Sequence, residues 1–345
     1  HPAFINIQTY RLNAHSKGDD DRDIKEIDYF KSRDPLNLAL EKEIWRDKKD
    51  EIEQEIGTHI QEVTQAKTQK LDYCHDQLPR FKEGLLLPIK NDKIRMVQAL
   101  NKAYSGSLAN GAFLIGEDIV DPYGGAFKVT KGLSDKYPNQ VFASSISEGG
   151  MVGVSIGMAL MGTQSFTEIM FGDFMTLAFD QLVNNASKMH HMYNFQVDVP
   201  LRIRTPMGGK RGYGPTHSQS LEKFLVGIDN VLTIALSSLH DPDISIAELD
   251  KFMCPVVVIE NKLDYGRVLW QGNDLYKSYR EDKPFGGLIL SPNGYDPTIT
   301  IVSYGETARH VADNLAVFFE ETDEFAELVC LTQLHPMDLS LVKRS

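Results

Sequence analysis

The chain has 345 residues and a formal net charge of −12, from 48 Asp and Glu against 36 Lys and Arg. This charge disfavours nucleic-acid binding, which needs a clustered basic surface that Lys67 and Lys70 are too sparse to supply. No secretory signal or apolar run of membrane-spanning length is recognisable, so we expect a soluble, cytoplasmic protein, long enough for two domains.

The first ninety residues are polar and mostly helical in pattern. Phe4–Ile7 is a short apolar run that predicts a strand. Residues 38–70 are rich in Glu, Lys, Gln, Ile and Leu at helical spacing, which predicts helices. Pro79 and Pro88 bracket a join, and the apolar stretch 85–88 is short enough for a tethered connector rather than a membrane segment.

The rest of the chain alternates short apolar strands with helices, which predicts a parallel sheet covered by helices on both faces. The predicted strands of the central block are Asn110–Ile115, Val199–Arg204, Val231–Leu236 and Pro255–Glu260. Its predicted helices are Met151–Met161 and Met175–Met189. Further on, the predicted strands Thr298–Val302 and Glu327–Leu331 flank a predicted helix, Thr307–Phe319, in a βαβ arrangement.

One predicted helix carries a row of glycines. Gly149, Gly153 and Gly157 repeat at four-residue spacing and so lie on one smooth face, which predicts close packing against another helix in a core or at a subunit interface. Glu148 lies at the amino-terminal end of this helix, where the helix dipole stabilises a carboxylate. Glu148 is therefore either a capping residue or a functional group that needs a partner.

A glycine-rich loop presents the first catalytic candidate. The run Thr205–Ser220 contains four glycines and two prolines, which together favour a shaped, pre-organised loop that approaches a ligand closely. His217 is the imidazole that this loop presents. The alternative is a surface turn with an ordinary solvated histidine.

The cysteines and the paired histidines do not predict a metal site. Cys74, Cys254 and Cys330 are widely spaced and odd in number, which favours reduced structural thiols. His190 and His191 follow a helix without an evident third ligand, and we expect solvated or capping groups.

Several ordered motifs across residues 93–345 closely resemble the β-subunit of the thiamine-diphosphate-dependent decarboxylating component of 2-oxo acid dehydrogenase complexes, of the pyruvate and branched-chain type. The motifs are Gly116-Glu117-Asp118-Ile119, Tyr123–Val129, Ser145-Ile146-Ser147-Glu148, Glu168–Phe174, Asp180-Gln181 and Thr216-His217-Ser218-Gln219. The resemblance implies a transketolase-like, thiamine-diphosphate-binding α/β fold.

The amino-terminal part resembles the end of the α-subunit of the same enzyme. The matching stretches are Thr9–Ser16, Asp19-Asp20 and Asp34-Pro35. They include a loop that is phosphorylated in some relatives, on the serine that corresponds to Ser16. The resemblance implies an α-type segment over residues 1–88, a pyrimidine-binding domain over 89–278 and the start of a transketolase-type carboxy-terminal domain over 279–345. Both ends of the sequence resemble truncations within the family's domains, so we expect a fragment of a larger polypeptide.

The resemblance also implies roles for individual residues. Glu148 matches the carboxyl group that hydrogen-bonds the aminopyrimidine of the cofactor, and Phe174 matches its aromatic platform. His217 matches the histidine of reductive acyl transfer, and His15 matches the α-subunit histidine near the diphosphate. Glu117, in the Gly-Glu-Asp motif, is expected to be part of a proton relay or to be one of the residues that surround and support the site.

Two alternative roles are open for Arg11 in the α-type loop. It contacts phosphate, or it orders the loop through an ion pair with the aspartates at 19–21.

The family's diphosphate and magnesium motif, Gly-Asp-Gly with later paired asparagines, is absent. Gly172-Asp173 is followed by Phe174, and Asn184-Asn185, on a predicted helix, is a poor substitute. Thiamine diphosphate and Mg²⁺ are thus expected for the complete enzyme, although the chain offers no Mg²⁺ ligands.

The expected partners are a 2-oxo acid, a lipoyl-bearing acyltransferase and a second copy of the chain. The alternatives are a catalytically silent fragment and a transketolase-like or deoxyxylulose-phosphate-synthase-like enzyme, which the stretches 11–16 and 216–219 disfavour. Which 2-oxo acid is used does not follow from the sequence.

Overall fold

The computed structural model describes residues 5–14, 21–66, 78 and 81–345 of a chain that divides into two compact units, 1–73 and 74–345. The helices of the first unit are α1 (Ile24–Lys31), α2 (Pro35–Leu40) and α3 (Glu43–Gln65). Helices are thus confirmed within residues 38–66, with a turn between α2 and α3. The strand predicted at Phe4–Ile7 is wrong over residues 5–7, which form no ladder, and Phe4 lies outside the described residues.

The second unit is an α/β structure. Its described strands are β1 (Leu86–Pro88), β2 (Phe113–Gly116), β3 (Val141–Ala143), β4 (Ser165–Glu168), β5 (Arg202–Met207), β6 (Leu232–Ala235), β7 (Val256–Asn261), β8 (Tyr276–Glu281), β9 (Leu288–Pro292), β10 (Ile299–Tyr304), β11 (Ala326–Leu331) and β12 (Gln333–His335). Its described helices are α4 (Met96–Ala109), α5 (Leu133–Lys136), α6 (Glu148–Leu160), α7 (Met175–Asp180), α8 (Ser187–Met192), α9 (Pro242–Glu248), α10 (Gly305–Thr322) and α11 (Ser340–Arg344). A π-helical stretch, Gln181–Ala186, joins α7 to α8.

The central sheet has seven strands in the order β12-β6-β7-β5-β4-β2-β3. Six of them are parallel, as predicted, and β4 to β6 are buried throughout because helices cover both faces. The prediction missed the parallel strands β3 and β4 and the edge strand β12, which pairs antiparallel with β6. The carboxyl ends of the six parallel strands therefore meet at one edge, where ligands bind in open α/β sheets.

A second sheet has the order β1-β8-β9-β11-β10. The predicted βαβ arrangement is present as β10, α10 and β11, with the two strands parallel. The prediction missed β8 and β9, which pair antiparallel. The polar sequence of β8 conceals it, since charged and tyrosine side chains follow one another there.

The division at residues 88 and 278 stays a prediction. Among the described residues, no helix is both long and apolar enough to cross a membrane.

Several predicted bounds were wrong, and the causes are local. The strand predicted from Asn110 begins at Phe113 because α4 continues to Ala109, with Asn110 at its C-cap. The strand predicted from Val199 begins later, at Arg202, and runs on to Met207. Pro206 hid this last part, because proline is uncommon in central strands.

The glycine face of α6 packs as predicted at two of its three positions. A Cβ atom on Gly149 would lie 3.2 Å from the Leu177 carbonyl oxygen in the first turn of α7, and one on Gly153 would lie 3.5 Å from Gln181 Oε1. A Cβ atom on Gly157 would have no neighbour within 4 Å. The close approach of α6 to α7 therefore depends on Gly149 and Gly153.

We expect Gly149→Leu to lower the free energy of unfolding by about 1–3 kcal/mol, because the new side chain meets the backbone of α7. The matched variant Gly157→Leu should leave that free energy unchanged or raise it by up to about 1 kcal/mol, since leucine favours a helix over glycine. Urea unfolding of both variants tests this expectation. Equal losses would mean that α7 does not depend on the glycine face.

Candidate active site

The carboxyl edge of the central sheet gathers the candidate residues of the second unit. Glu117 directly follows β2, and Glu148 begins the helix after β3. Phe174 ends a short turn after β4, and His217 ends another after β5. Lys262 directly follows β7. Parallel strand order thus brings together residues that are far apart in sequence.

Two carboxyl groups form one part of this edge. Glu148 is 5% exposed and Glu117 is 7% exposed, and Glu117 Oε1 accepts a hydrogen bond from the Ser147 amide at 3.2 Å. Burial, followed by the charge of Glu148, raises the pKa of Glu117. No described residue donates a hydrogen bond to the Glu148 side chain. A buried carboxyl group with unused hydrogen-bonding capacity suits a polar ligand atom.

An aromatic group forms the second part. The half-buried His217 ring contacts Phe171 edge-on at a centroid distance of 4.8 Å, and Phe174 at 5.1 Å. The Phe171 and Phe174 rings are 5.9 Å apart, and Tyr213 lies against Phe171 at 5.5 Å. The structure therefore brings His217 and Phe174 into contact, in the edge-to-face geometry that aromatic rings prefer.

The loop that carries His217 has the backbone that its glycines predict. Gly208, Gly212 and Gly214 all have positive φ, at 92°, 79° and 82°. A Cβ atom on Gly208 would lie 2.6 Å from Asn261 Nδ2, so only glycine fits there without displacing that side chain. At the other end of the loop, the Thr216 hydroxyl lies 3.0 Å from His217 Nδ1. The loop is held in one shape rather than being a slack linker.

Two buried charged residues lie beneath the loop, and the sequence did not predict either of them as a site residue. Lys262 is fully buried, and its Nζ donates a hydrogen bond to the main-chain oxygen of His217 at 2.6 Å. Asp173 Oδ1 accepts two hydrogen bonds from Gln219, from the amide at 3.2 Å and from Nε2 at 2.9 Å. Burial lowers the pKa of Lys262, whereas Asp173 opposes that shift. The available signal was a lysine three residues after the apolar run 256–259.

A second buried ion cluster lies within the strands near the same edge. Arg204 on β5 pairs with Glu168 on β4 and, through Nε at 2.8 Å, with Glu260 on β7. Tyr104 and Tyr265 donate hydrogen bonds to Glu260 at 2.9 and 2.7 Å. Burial disfavours the guanidinium, but the two carboxylates raise the pKa of Arg204. Three neighbouring strands are thus joined by one cation.

We expect Arg204→Met to lower the free energy of unfolding by about 3–5 kcal/mol, because it leaves two carboxylates buried without a counter-charge. The control is Lys188→Met, which removes an exposed pair with Asp229 and should cost less than about 1 kcal/mol. Urea denaturation of both variants measures the difference. Similar small losses would mean that the cluster is screened by solvent.

The remaining predicted site residues belong to the first unit. His15 and Ser16 lie outside the described residues. Arg11 is exposed in the first unit, and its main-chain oxygen accepts a hydrogen bond from Arg22 Nη1 at 2.5 Å. A contact of Arg11 with phosphate and an ion pair with the aspartates at 19–21 both stay predictions.

The residues weighed as metal ligands have other partners. Asn184 and Asn185 lie on the π-helical stretch and donate hydrogen bonds to Asp180. His190 contacts the Val197 carbonyl oxygen at 2.7 Å, and the described residues contain no group of three His, Cys, Asp or Glu suited to a metal ion.

The two described cysteines behave as structural thiols. Cys254 is partly buried and Cys330 is buried, and neither forms a disulfide. Burial raises the pKa of Cys254 to about 11 and that of Cys330 to about 12. Their thiolate forms are therefore scarce at neutral pH. Cys74 lies outside the described residues.

The sequence is similar to a known family and to several curated proteins. The family model described as "Transketolase, pyrimidine binding domain" matches residues 92–266. The β-subunit of acetoin:2,6-dichlorophenolindophenol oxidoreductase from Cupriavidus necator is 30% identical over 264 residues, 73% of the chain and 76% of that relative. The β-subunit of 3-methyl-2-oxobutanoate dehydrogenase from Mycobacterium tuberculosis is 29% identical over 275 residues, 78% of the chain and 77% of that relative.

A plant protein and a solved structure complete the comparison. The "Pyruvate dehydrogenase E1 component subunit beta-1, mitochondrial" of Arabidopsis thaliana is 30% identical over 253 residues, 72% of the chain and 68% of that relative. A chain described as "Split gene transketolase, inactive beta4 tetramer" superposes with a TM-score of 0.56 and 18% identity, over 74% of the chain and 76% of its own length. The structural likeness supports a transketolase-type fold.

Proposed function

The chain belongs to the transketolase pyrimidine-binding family, and from this premise we propose that it is the β-type part of a thiamine-diphosphate-dependent 2-oxo acid dehydrogenase component. The observation that carries this proposal is the buried Glu148 carboxyl group, which no described residue hydrogen-bonds, on the edge that also presents Phe174 and His217. The similarity to β-subunits named for pyruvate and 3-methyl-2-oxobutanoate dehydrogenases supports the same reaction class.

The residues present fit the pyrimidine half of the cofactor. Glu148 hydrogen-bonds the ring nitrogen of the aminopyrimidine, and Phe174 supplies an aromatic face for it. Glu117 is proposed as a proton relay because it is buried beside Glu148, and burial followed by the charge of Glu148 raises its pKa. When bound, thiamine diphosphate would supply a carbon nucleophile and an electron sink for the decarboxylation of the 2-oxo acid.

His217 acts at the transfer step. The lipoyl disulfide opens when one sulfur bonds the acyl carbon and the S–S bond breaks. The other sulfur leaves as a thiolate that needs a proton, and the His217 imidazolium donates it. Contact with Phe171 and Phe174 holds the ring over the edge where that exchange takes place.

The described residues do not fit the diphosphate and magnesium half of the cofactor. They offer no group of three metal-ligating side chains, and Asn184 and Asn185 are engaged by Asp180. We therefore derive no step through Mg²⁺. Our proposal assigns His15 and Arg11 to the diphosphate side, within an α-type segment over residues 1–88 that precedes the β-type domains at 89–278 and 279–345.

The proposed partners are a 2-oxo acid, a lipoyl-bearing acyltransferase and a second copy of the chain. A second candidate function is a catalytically silent half-site, and the lack of a metal-ligating group among the described residues favours it for the 345-residue chain alone. Calorimetric titration with thiamine diphosphate and Mg²⁺ separates the two. Tight, Mg²⁺-dependent binding supports a competent site, and weak or absent binding supports the half-site.

We expect Glu148→Gln in the complete enzyme to lower turnover by about 10²–10⁴-fold, because the amide cannot exchange a proton with the cofactor ring. Folding should change little, since the two side chains have the same size. The control is Glu321→Gln on the exposed face of α10, which should retain wild-type turnover. Dye-coupled oxidation of the 2-oxo acid measures both variants, and near-normal turnover of Glu148→Gln would remove Glu148 from the mechanism.

We expect His217→Ala to lower acyl transfer to a lipoyl domain by about 10²-fold or more, whereas reduction of an artificial dye keeps most of its rate. Only lipoyl transfer needs a proton at the departing sulfur. His310→Ala, an exposed histidine on α10, is the matched control. Equal losses in the two assays would mean that His217 acts earlier, and no loss in either would return it to an ordinary loop histidine.

A further inference from the structure

The His217 loop is attached to the sheet on both sides of Ser218 by buried charges. At position 217, the main-chain oxygen accepts the hydrogen bond from Lys262. At position 219, both the amide and the side chain donate to Asp173. The two charged residues follow different strands, β7 and β4, so the loop after β5 is held from its two neighbours.

Lys262 links the loop to the aromatic group as well. Its backbone amide donates to the Met207 carbonyl oxygen at 3.2 Å, which fixes it to the end of β5. Its Nζ atom lies 4.9 Å from the centroid of the Phe171 ring, against which the His217 imidazole packs. One ammonium group therefore contacts both the backbone of His217 and a ring that sets the imidazole's orientation.

Asp173 completes the attachment, and one of its carboxylate oxygens remains without a hydrogen bond from any described residue. It is 5% exposed, and its Oδ2 atom has no hydrogen-bond partner among the described residues. That atom lies 3.8 Å from Lys262 Nζ, close enough for charge attraction but too far for a hydrogen bond. The main-chain oxygen of Gln219 in turn accepts from the Gly208 amide at 3.1 Å, which closes the loop on itself.

Stability alone does not account for this arrangement. A buried ion pair contributes little to net stability, because desolvation of both charges offsets their attraction, and apolar residues of similar volume often serve as well. The side-chain hydrogen bonds of Lys262 and Asp173 go to main-chain atoms and to the Gln219 side chain, all within one residue of Ser218. Their geometry is specific to the loop.

We propose that Lys262 and Asp173 are positioning residues that fix the imidazole of His217 for proton transfer, acting through the main chain at positions 217 and 219. The inference rests on the proposed function of His217. A displacement of a catalytic group by about 1 Å can cost about 10²-fold in rate, so loss of either attachment should affect the step that His217 serves.

The first test compares two activities of the intact holoenzyme, with thiamine diphosphate, Mg²⁺ and pyruvate or 3-methyl-2-oxobutanoate. Lys262→Met should lower acyl transfer to a lipoyl domain at least tenfold more than reduction of 2,6-dichlorophenolindophenol. A purely structural role would reduce both activities by the same factor, because both scale with the amount of folded enzyme. Equal losses, or none, would overturn the proposal. The matched control Lys223→Met removes an exposed lysine and should retain both activities.

Three further variants test the route of action. Asp173→Leu should show the same selective loss, and Asp173→Asn should recover much of it, because its amide oxygen still accepts from Gln219. In the His217→Ala background, Lys262→Met should cause no additional loss of acyl transfer. An additional loss of similar size would mean that Lys262 acts independently of His217, which overturns the proposal.

A final measurement does not depend on the reaction. Lys210 and Arg211 are exposed in the same loop, so trypsin reports on how firmly the loop is held. Cleavage there should be at least tenfold faster in Lys262→Met than in Lys223→Met, at a temperature at which circular dichroism shows both variants folded. Unchanged cleavage would overturn the attachment itself. If the wild-type holoenzyme neither reduces dye nor acylates the lipoyl domain, the proposed function fails, and the trypsin result alone decides whether Lys262 holds the loop.

Discussion

The central constraint on this protein is that six parallel strands must end at the same edge of one sheet. Parallel strands need crossover connections, and the helices in those connections bury both faces of the sheet. Polar residues that follow the strands are thereby confined to the edge, where Glu117, Glu148, Phe174, His217 and Lys262 lie. Chemistry that needs a carboxyl group, an aromatic face and an imidazole together can be built there from short sequence segments.

The same constraint forces charges into pairs. Arg204 and Lys262 are buried because they lie in, or directly after, fully covered strands. Arg204 meets carboxylates on both neighbouring strands, and Lys262 meets Asp173 in the turn after β4. An unpaired charge at such a position would cost several kcal/mol (on the order of the desolvation of one ion). The pairing therefore joins β4, β5 and β7 at the point where the site begins.

The sequence predicted the parts of the fold whose signals are local. The apolar core of β7, the glycine face of α6 and the glycine-rich loop before His217 each depend on neighbouring residues, and each was recognised. The antiparallel strands β8, β9 and β12 were missed because strand pairing is not written in any single segment. The parallel strands β3 and β4 were also missed, since they have only 3 and 4 residues. Lys262 was missed for a related reason, since its partner oxygen belongs to a residue 45 positions away.

Glu148 and His217, the two functional groups of the proposed site, are held in position in different ways. Glu148 begins a helix that is locked against α7 through Gly149, so its position follows from rigid packing. His217 lies on a loop whose shape depends on hydrogen bonds from buried charges. Under the proposed function, the group that activates the cofactor is held by the core. The group that serves acyl transfer is held by a few polar contacts instead, so changes at Lys262 or Asp173 reach the second step and spare the first.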